Sequence, residues 1–291
     1  MPTPIALLRL TRWREHIPFT LAATLLGVNL GPALPAAHDL VAALAANILA
    51  VTFAFMVNDL EDAPDDAHDP PRAARNPVTM GEITPRTGWA AAWITGLIAL
   101  ALFAVVNVRV LLTGGLTLGL GLLYSWRAVR LKAWPVVDVL AHALALSALL
   151  VLAGFLAGNI APGAVWWAVL GAGLLSAHGQ LYNQLRDYDA DRAAGLRNSA
   201  GLLGRTGTRG LMALFLALSG AALAFTVLLG LWPVWVLILG AALAPLLWLL
   251  RASTDMRGSH AADPIARLQT GFFLLACTLL LVWLLSRWSA G

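Results

Sequence analysis

The feature that most constrains this chain is a series of long apolar runs. Crossing the hydrocarbon core of a bilayer takes about 20 mostly apolar residues per helix. Nine runs come close to that length, at about 17–36, 40–57, 88–106, 109–126, 136–157, 163–183, 209–230, 232–250 and 268–286. Leu and Ala dominate them and strand-type alternation is absent, so the expected fold is an all-α integral membrane bundle of nine transmembrane helices. Composition points the same way: 59% of the residues are hydrophobic and 12% are charged, where soluble domains carry about 25% charge. A chain this poor in charge cannot cover a water-facing surface of its own size. That excludes a soluble globular fold, a disordered chain and a nucleic-acid binder, and the net charge of +4 is too small to build a duplex-binding face. The single cysteine, Cys277, excludes internal disulfides and any cysteine-based metal site. The first run is longer than a signal-peptide core and eight more follow, so it reads as a retained helix, and 1–291 reads as one membrane-embedded domain. Paired glycines such as Gly114 with Gly115, and Gly119, Gly121, Gly171 and Gly173, suit close helix packing.

Lys and Arg set the expected orientation. With nine spans, 17 of the 19 basic residues fall in loops on one side, and only Arg109 and Arg287 fall on the other. The N-terminus is therefore expected in the cytoplasm and the C-terminus outside it. Acidic residues are also segregated. Ten of the 15 lie in two loops on the basic side: Asp59, Glu61, Asp62, Asp65, Asp66, Asp69 and Glu82 after the second run, and Asp187, Asp189 and Asp191 after the sixth. Acids contribute little to topology, so their clustering needs a chemical reason.

The two clusters share the pattern N-x3-D-x3-D, as Asn58, Asp62, Asp66 and as Asn183, Asp187, Asp191. The repetition suggests two related half-bundles, each presenting one cluster. Spacing of four puts side chains on one helix face, where like charges repel, so a cation must compensate. Oxygen donors without His or Cys suit a hard ion such as Mg2+, which takes a few carboxylates together with substrate phosphate oxygens. Pro64 is expected to break the helix near that point, leaving Asp65, Asp66 and Asp69 in a loop or short helix. Two facing acidic clusters with Mg2+ make a site for a polyanion, most simply a diphosphate. Of the bases nearby, Arg75, Arg130, Lys132 and Arg192 are the expected direct contacts. An anionic head at the mouth of an apolar bundle, among membrane lipids, describes a polyprenyl diphosphate. Its chemistry would be metal-assisted ionisation followed by attack of a lipophilic acceptor.

These residues resemble the UbiA superfamily of intramembrane prenyltransferases. The family's N-D-x-x-D-x-x-x-D motif is matched by Asn58, Asp59, Asp62 and Asp66, and its D-x-x-x-D motif by Asp187 and Asp191, with Gly195 after them and Asn183 before. The stretch from Arg75 to Ile83 resembles the family's R-P-x-x-x-G-x-I element with Asn76 inserted. Tyr124 followed by Arg127, Arg130 and Lys132 resembles its Y-x-x-x-K element loosely. The resemblance covers the whole chain. It implies a nine-helix bundle with cytoplasmic active-site loops, one Mg2+ and the diphosphate on Asn58, Asp59, Asp62 and Asp66, a second Mg2+ on Asp187 and Asp191, and one of Arg127, Arg130 and Lys132 near the leaving group, with Lys132 the catalytic candidate. An aromatic acid or naphthoate of quinone synthesis is the commonest acceptor in the family. A carotenoid, glycerol lipid, chlorophyllide or haem acceptor, or an acceptor-free cyclase, fits the same residues. Residues 65–69 also spell the D-D-x-x-D of soluble prenyl diphosphate synthases, but the composition excludes that fold.

A cation or organic-anion transporter is the rival from another class, and it would place its binding groups near the bilayer midplane. Here the midplane is nearly free of charge. The few ionisable residues inside or beside the runs are functional candidates. Asp138 could orient Lys132, contact the acceptor or be solvated at the interface, the last being the first expectation. His142 and His178 could serve a polar acceptor head, although a neutral histidine on a backbone carbonyl is the plainer reading. Glu15 and His16 could border the acceptor pocket. Trp13, Trp89, Trp126, Trp166, Trp167, Trp232 and Trp288 fall near the ends of runs and suit interfacial belts.

Overall fold

A computed structural model describes residues 3–158, 160–193, 195–253 and 264–290, and every regular element among them is a helix. In order these are α1 (Pro4–Leu10), α2 (Trp13–Leu30), α3 (Ala37–Asp66), α4 (Pro70–Ala73), α5 (Pro85–Val106) and α6 (Val108–Ser125). They continue with α7 (Val137–Ala143), α8 (Leu149–Leu156), α9 (Val165–Arg186), α10 (Tyr188–Ala193) and α11 (Ser199–Leu228). The last are α12 (Val234–Leu243), α13 (Leu246–Leu249) and α14 (Pro264–Ala290). A wide π-type turn over Leu144–Ala148 joins α7 to α8 as one rod, Val137–Leu156. Arg257, counted among the bases of the last basic-side loop, lies outside the described residues.

Among the described residues, six helices are long and apolar enough to cross a membrane: Ala37–Asp66, Pro85–Val106, Val108–Ser125, Val137–Leu156, Ser199–Leu228 and Arg267–Ala290. The runs expected at 17–36, 163–183 and 232–250 are also helical, as α2, α9 and α12 with α13, but fall short of that standard. The α12 helix has only 10 residues. The C-terminal half of α9 is polar because Ser176, His178, Gln180 and Asn183 turn toward an internal cavity.

Packing is densest along three seams: α3 against α5 and α6, α2 against α8, and α9 against α11. The α2–α8 seam relies on two glycines that the sequence pattern did not single out. A Cβ at Gly27 would fall on the Val151 carbonyl oxygen, and one at Gly154 on the Thr24 carbonyl oxygen. Beside them Asn47 of α3, fully buried, donates through Nδ2 to Thr24 Oγ1 (2.8 Å) and to the Leu150 carbonyl (3.2 Å). Backbone contact plus a buried amide is how helices adhere in lipid, where apolar side chains gain little by leaving the solvent. Of the glycines singled out by sequence, Gly114 accommodates Phe103, Gly121 accommodates Ala54 and Gly171 accommodates Leu223, whereas Gly115 and Gly119 face open space.

The helix break expected at Pro64 does not occur. The α3 helix continues to Asp66, so Asp62, Asp65 and Asp66 all belong to it, and Asp69 caps α4 by accepting from the Arg72 N–H (3.3 Å). The last turns of α3 are held by donors from other segments: Asn76 Nδ2 on the Asp59 carbonyl (2.8 Å), Arg127 Nε on the Glu61 carbonyl (2.9 Å) and Thr79 Oγ1 on the Ala63 carbonyl (3.1 Å). These bonds support the turns that proline weakens.

Substituting Gly154→Ala should force α2 and α8 apart and lower stability by about 1–3 kcal/mol. Gly115→Ala, which meets only open space, should leave stability unchanged or slightly raised. Thermal unfolding of the two variants in detergent checks the contrast, and equal behaviour would refute it.

Candidate active site

The first acidic cluster occupies the last turns of α3, where a spacing of four puts Asn58, Asp62 and Asp66 on one side. Its counter-charges come from the loop between α6 and α7. Lys132 Nζ sits on both oxygens of Asp62 (2.5 and 2.6 Å) and on Asn58 Oδ1 (3.3 Å), which also accepts from Ser125 Oγ (3.0 Å). Arg130 Nη2 lies 2.7 Å from Asp65 and 3.8 Å from Asp62, and Arg127 Nη2 lies 2.9 Å from Asp65. Arg130 reaches this position from a left-handed backbone (φ 50°), uncommon for a residue with a Cβ. Asp66 is held differently, by Asn76 Nδ2 at 2.9 Å. Asn76 also accepts from the Val78 N–H (3.0 Å), so this apparent insertion in a motif is the pivot of the turn after α4. An Asn-Pro pair is a turn signal, and that was the cue available in the sequence.

The second cluster starts where α9 ends. Asp187 takes a non-helical conformation at the end of α9, and its carbonyl accepts from the Asp191 N–H (2.9 Å), which keeps the two acids near one face across the break. Asp191 accepts from Arg72 Nη2 (3.1 Å) and from Asn198 Nδ2 (3.0 Å). Burial pushes its carboxyl above the usual aspartate range, with Arg72 opposing and Asp187 adding to the rise. Burial also works against the Arg72 charge, but Asp191, Asp187 and Asp69 outweigh it and hold the guanidinium above the usual arginine range. Gly195, matched to the second motif, takes φ +70° in the turn that follows. Arg72 thus ties the loop after the first cluster to the second.

Behind both clusters lies Asp138, which is fully buried rather than solvated. Four donors account for this: Gln184 Nε2 (2.7 Å), the Ser199 N–H (2.7 Å), Ser199 Oγ (2.5 Å) and the Val139 N–H (2.8 Å). Gln184 in turn accepts from the Ala200 N–H (3.0 Å), and Ser199 Oγ accepts from the Val136 N–H (2.7 Å). One carboxylate therefore fixes the start of α7, the end of α9 and the start of α11 relative to one another.

Both clusters open on one cavity of about 2320 Å3. Asn58, Asp59, Asp62, Asp66, Arg75, Tyr124, Arg130, Lys132, Asn183, Asp187 and Asp191 all line it. Arg192 is not among its lining residues, whereas Arg197 is. Asp59 is nearly buried, and its carboxylate is held by Arg12 Nη1 (3.2 Å), whose backbone is also left-handed (φ 49°). Arg12 also pairs with Glu15, which lines the cavity. His16 is fully buried behind this wall, with Nε2 3.1 Å from the Thr11 carbonyl, and does not border the cavity. His178 Nδ1 lies 3.0 Å from the Met212 carbonyl, whereas His142 Nδ1 faces Ser176 Oγ (3.2 Å). Tyr124 Oη accepts from Gln180 Nε2 (2.7 Å).

The donor set suits a hard cation together with an anion. The ligating atoms on offer are carboxylate and amide oxygens. Among the described residues no group of three or more His, Cys, Asp or Glu converges closely enough to enclose an ion by itself. The oxygen donors at the mouth suit Mg2+, which binds through one or two carboxylates and completes its shell with water and phosphate oxygens. On the anion side, Arg130 lines the cavity, and its Nε is buried without a hydrogen-bond partner.

A helical membrane bundle with this mouth belongs to the intramembrane prenyltransferase class. Residues 17–274 match the UbiA prenyltransferase family, and the chain belongs to that family. The fold is similar to that of a UbiA homolog from Archaeoglobus fulgidus bound to DMAPP and Mg2+, with TM-score 0.75 and 24% identity over 95% of this chain and 96% of that one. It is also similar to the apo structure of a UbiA homolog from Aeropyrum pernix K1, with TM-score 0.72 and 23% identity over 92% and 98%. A digeranylgeranylglyceryl phosphate synthase shares the fold at TM-score 0.66 and 15% identity, over 97% of each chain. No curated protein sequence matches at a significant level.

Asp138→Asn keeps the shape but turns an NH2 group toward groups that are all donors. It should cost about 1–3 kcal/mol of stability, measured as a lowered midpoint of thermal unfolding in detergent. An unchanged midpoint would show that the four bonds contribute nothing.

Proposed function

We propose that this chain is a Mg2+-dependent prenyltransferase that moves a polyprenyl group from its diphosphate to a lipophilic acceptor. The observation that carries this reading is the shared mouth. Two acidic clusters and the Lys132 and Arg130 side chains meet at one end of a single cavity whose deeper walls are apolar. The relative bound to DMAPP and Mg2+ supports it.

In this reading Asn58, Asp62 and Asp66 hold one Mg2+, and Asp187 and Asp191 hold a second. When bound, the ions offset the charge that builds on the diphosphate as it departs. Lys132, Arg130 and Arg75 donate to the phosphate oxygens, and Tyr124 and Asn183 orient the head group. Asp59 acts through Arg12, as an anchor for the segment before α2. Arg192, off the cavity wall, serves at most the outer approach. The allylic C–O bond breaks toward the diphosphate, the apolar walls keep water from the cation, and the acceptor forms a bond to it and releases a proton. A quinone-precursor aromatic acid is the first acceptor to test, and a carotenoid or another lipid is next.

The distribution of Lys and Arg supports nine crossings in two half-bundles, each presenting one acidic cluster, with the N-terminus cytoplasmic and the C-terminus on the opposite side. The acidic mouth then faces the cytoplasm.

Purified protein given geranylgeranyl diphosphate, an acceptor panel and Mg2+ should release diphosphate and form a prenylated product. Asp62→Ala and Asp187→Ala should each reduce turnover to background while the protein still elutes as a folded species in detergent. EDTA should abolish activity and added Mg2+ restore it. Retained activity in either variant or in EDTA would reject the metal roles, and a hydrocarbon formed without acceptor would replace the transferase by a cyclase.

A further inference from the structure

The main cavity has two ends of opposite character. Its acidic end meets the C-terminal end of α9 and the N-terminal end of α2. Its other end runs between α2, α11, α12 and α14 and is lined by Leu26, Leu223, Val236, Ala276, Leu280 and Trp232. Trp232 also lines a second cavity of about 670 Å3. That cavity meets Asn29 near the end of α2 and Val165 at the start of α9, so it lies at the opposite end of the bundle from the acids.

Trp232 is held from both sides. Its Nε1 donates to Thr226 Oγ1 (2.7 Å), and Thr226, fully buried, donates to the Leu223 carbonyl (2.6 Å). The Trp232 ring leans on Trp283 with centroids 5.3 Å apart. Gly230, at φ +71°, makes the turn that brings the chain from the end of α11 back against the bundle. Trp232, expected near a run end, lines both cavities.

We propose that Trp232 is a specificity-determining residue: it is the floor of the tunnel and sets the longest prenyl tail the enzyme accepts. The idea rests on the prenyltransferase reading above. Glu15 at the mouth and Asn29 in the far cavity lie on the same helix, and at 1.5 Å per residue their separation is about 21 Å. An extended isoprene unit adds four C–C bonds, about 5 Å, and since Asn29 lies beyond the ring the tunnel holds a tail of at most roughly four units before it meets the ring. Removing the ring joins the tunnel to the second cavity. Adding bulk on the wall does the reverse. Gly240 of α12 lines the tunnel, and a Cβ there meets only Leu279, itself a lining residue, at 3.4 Å, so a larger side chain adds bulk to this wall.

The test compares wild type, Trp232→Ala, Trp232→Phe and Gly240→Leu on geranyl, farnesyl, geranylgeranyl and longer polyprenyl diphosphates, scored by diphosphate release and product mass. Wild type should fall off beyond geranylgeranyl. Trp232→Ala should raise the kcat/KM ratio of longer donors to geranylgeranyl diphosphate by roughly tenfold or more. Trp232→Phe should keep the wild-type profile, and Gly240→Leu should shift the limit toward shorter donors. A gain of longer substrates cannot arise from misfolding, and Trp232→Leu replaces the alanine variant if that one does not fold. The wild-type profile in both Trp232→Ala and Gly240→Leu would overturn the proposal. So would a change confined to acceptor preference, which would assign the tunnel to the acceptor. Wild type that turns over no donor would instead reject the prenyltransferase reading itself.

Discussion

Carboxylates gathered at one end of an apolar bundle repel one another, and the rest of this structure is arranged around that repulsion. Several acids of the two clusters are met by a donor from a distant part of the chain. Asp62 is met by Lys132, Asp65 by Arg127 and Arg130, Asp191 by Arg72, and Asp59 by Arg12. These partners come from the segment before α2, the turn at α4 and the loop after α6. The loops are therefore shaped by charge compensation, while the helices beneath them are shaped by apolar packing. In a medium of low dielectric, breaking such a pair by removing one partner is costly, because the remaining charge stays poorly solvated. The same pairing holds donors for a phosphate beside acceptors for a cation, which is the combination that a metal-bound diphosphate requires.

Asp138 applies the same logic one layer deeper. A buried carboxylate is tolerable only when its lone pairs are satisfied. Here four donors from three helices converge on it, and one of them, Ser199, adjoins the asparagine that holds Asp191. The second acidic cluster sits at a helix break, which by itself would leave Asp187 and Asp191 poorly fixed. The Asp138 junction supplies the rigidity that the break removes.

The helical class, the order of the apolar segments and the two acidic clusters were legible in the sequence because each rests on local pattern. Apolar runs report burial in lipid or core directly, and a spacing of four reports a shared helix face. Partners were harder to read. Asn76 looked like an insertion because its role depends on contacts with Asp59 and Asp66, which only the fold brings near. Pro64 was expected to end a helix, and the donors that support its turns lie 12 or more residues away in sequence. Asp138 looked exposed because it opens a run, yet its environment is set by residues 46 and 61 positions later. Gly27 and Gly154 carried no motif, since backbone approach between α2 and α8 leaves no mark on either segment alone.

Two of the arginines that serve this network, Arg12 and Arg130, hold left-handed backbones. Conformations of that kind cost a non-glycine residue about 1 kcal/mol each and are cheapest for glycine or asparagine. The ion pairs that Arg12 makes with Asp59 and Glu15, and Arg130 with Asp65, offset that cost, because removing either arginine would leave its carboxylates poorly compensated. Local backbone strain at these two positions is therefore the cost of bringing a cation to the acids, and a glycine placed there would relieve the strain while removing the charge that the acids need.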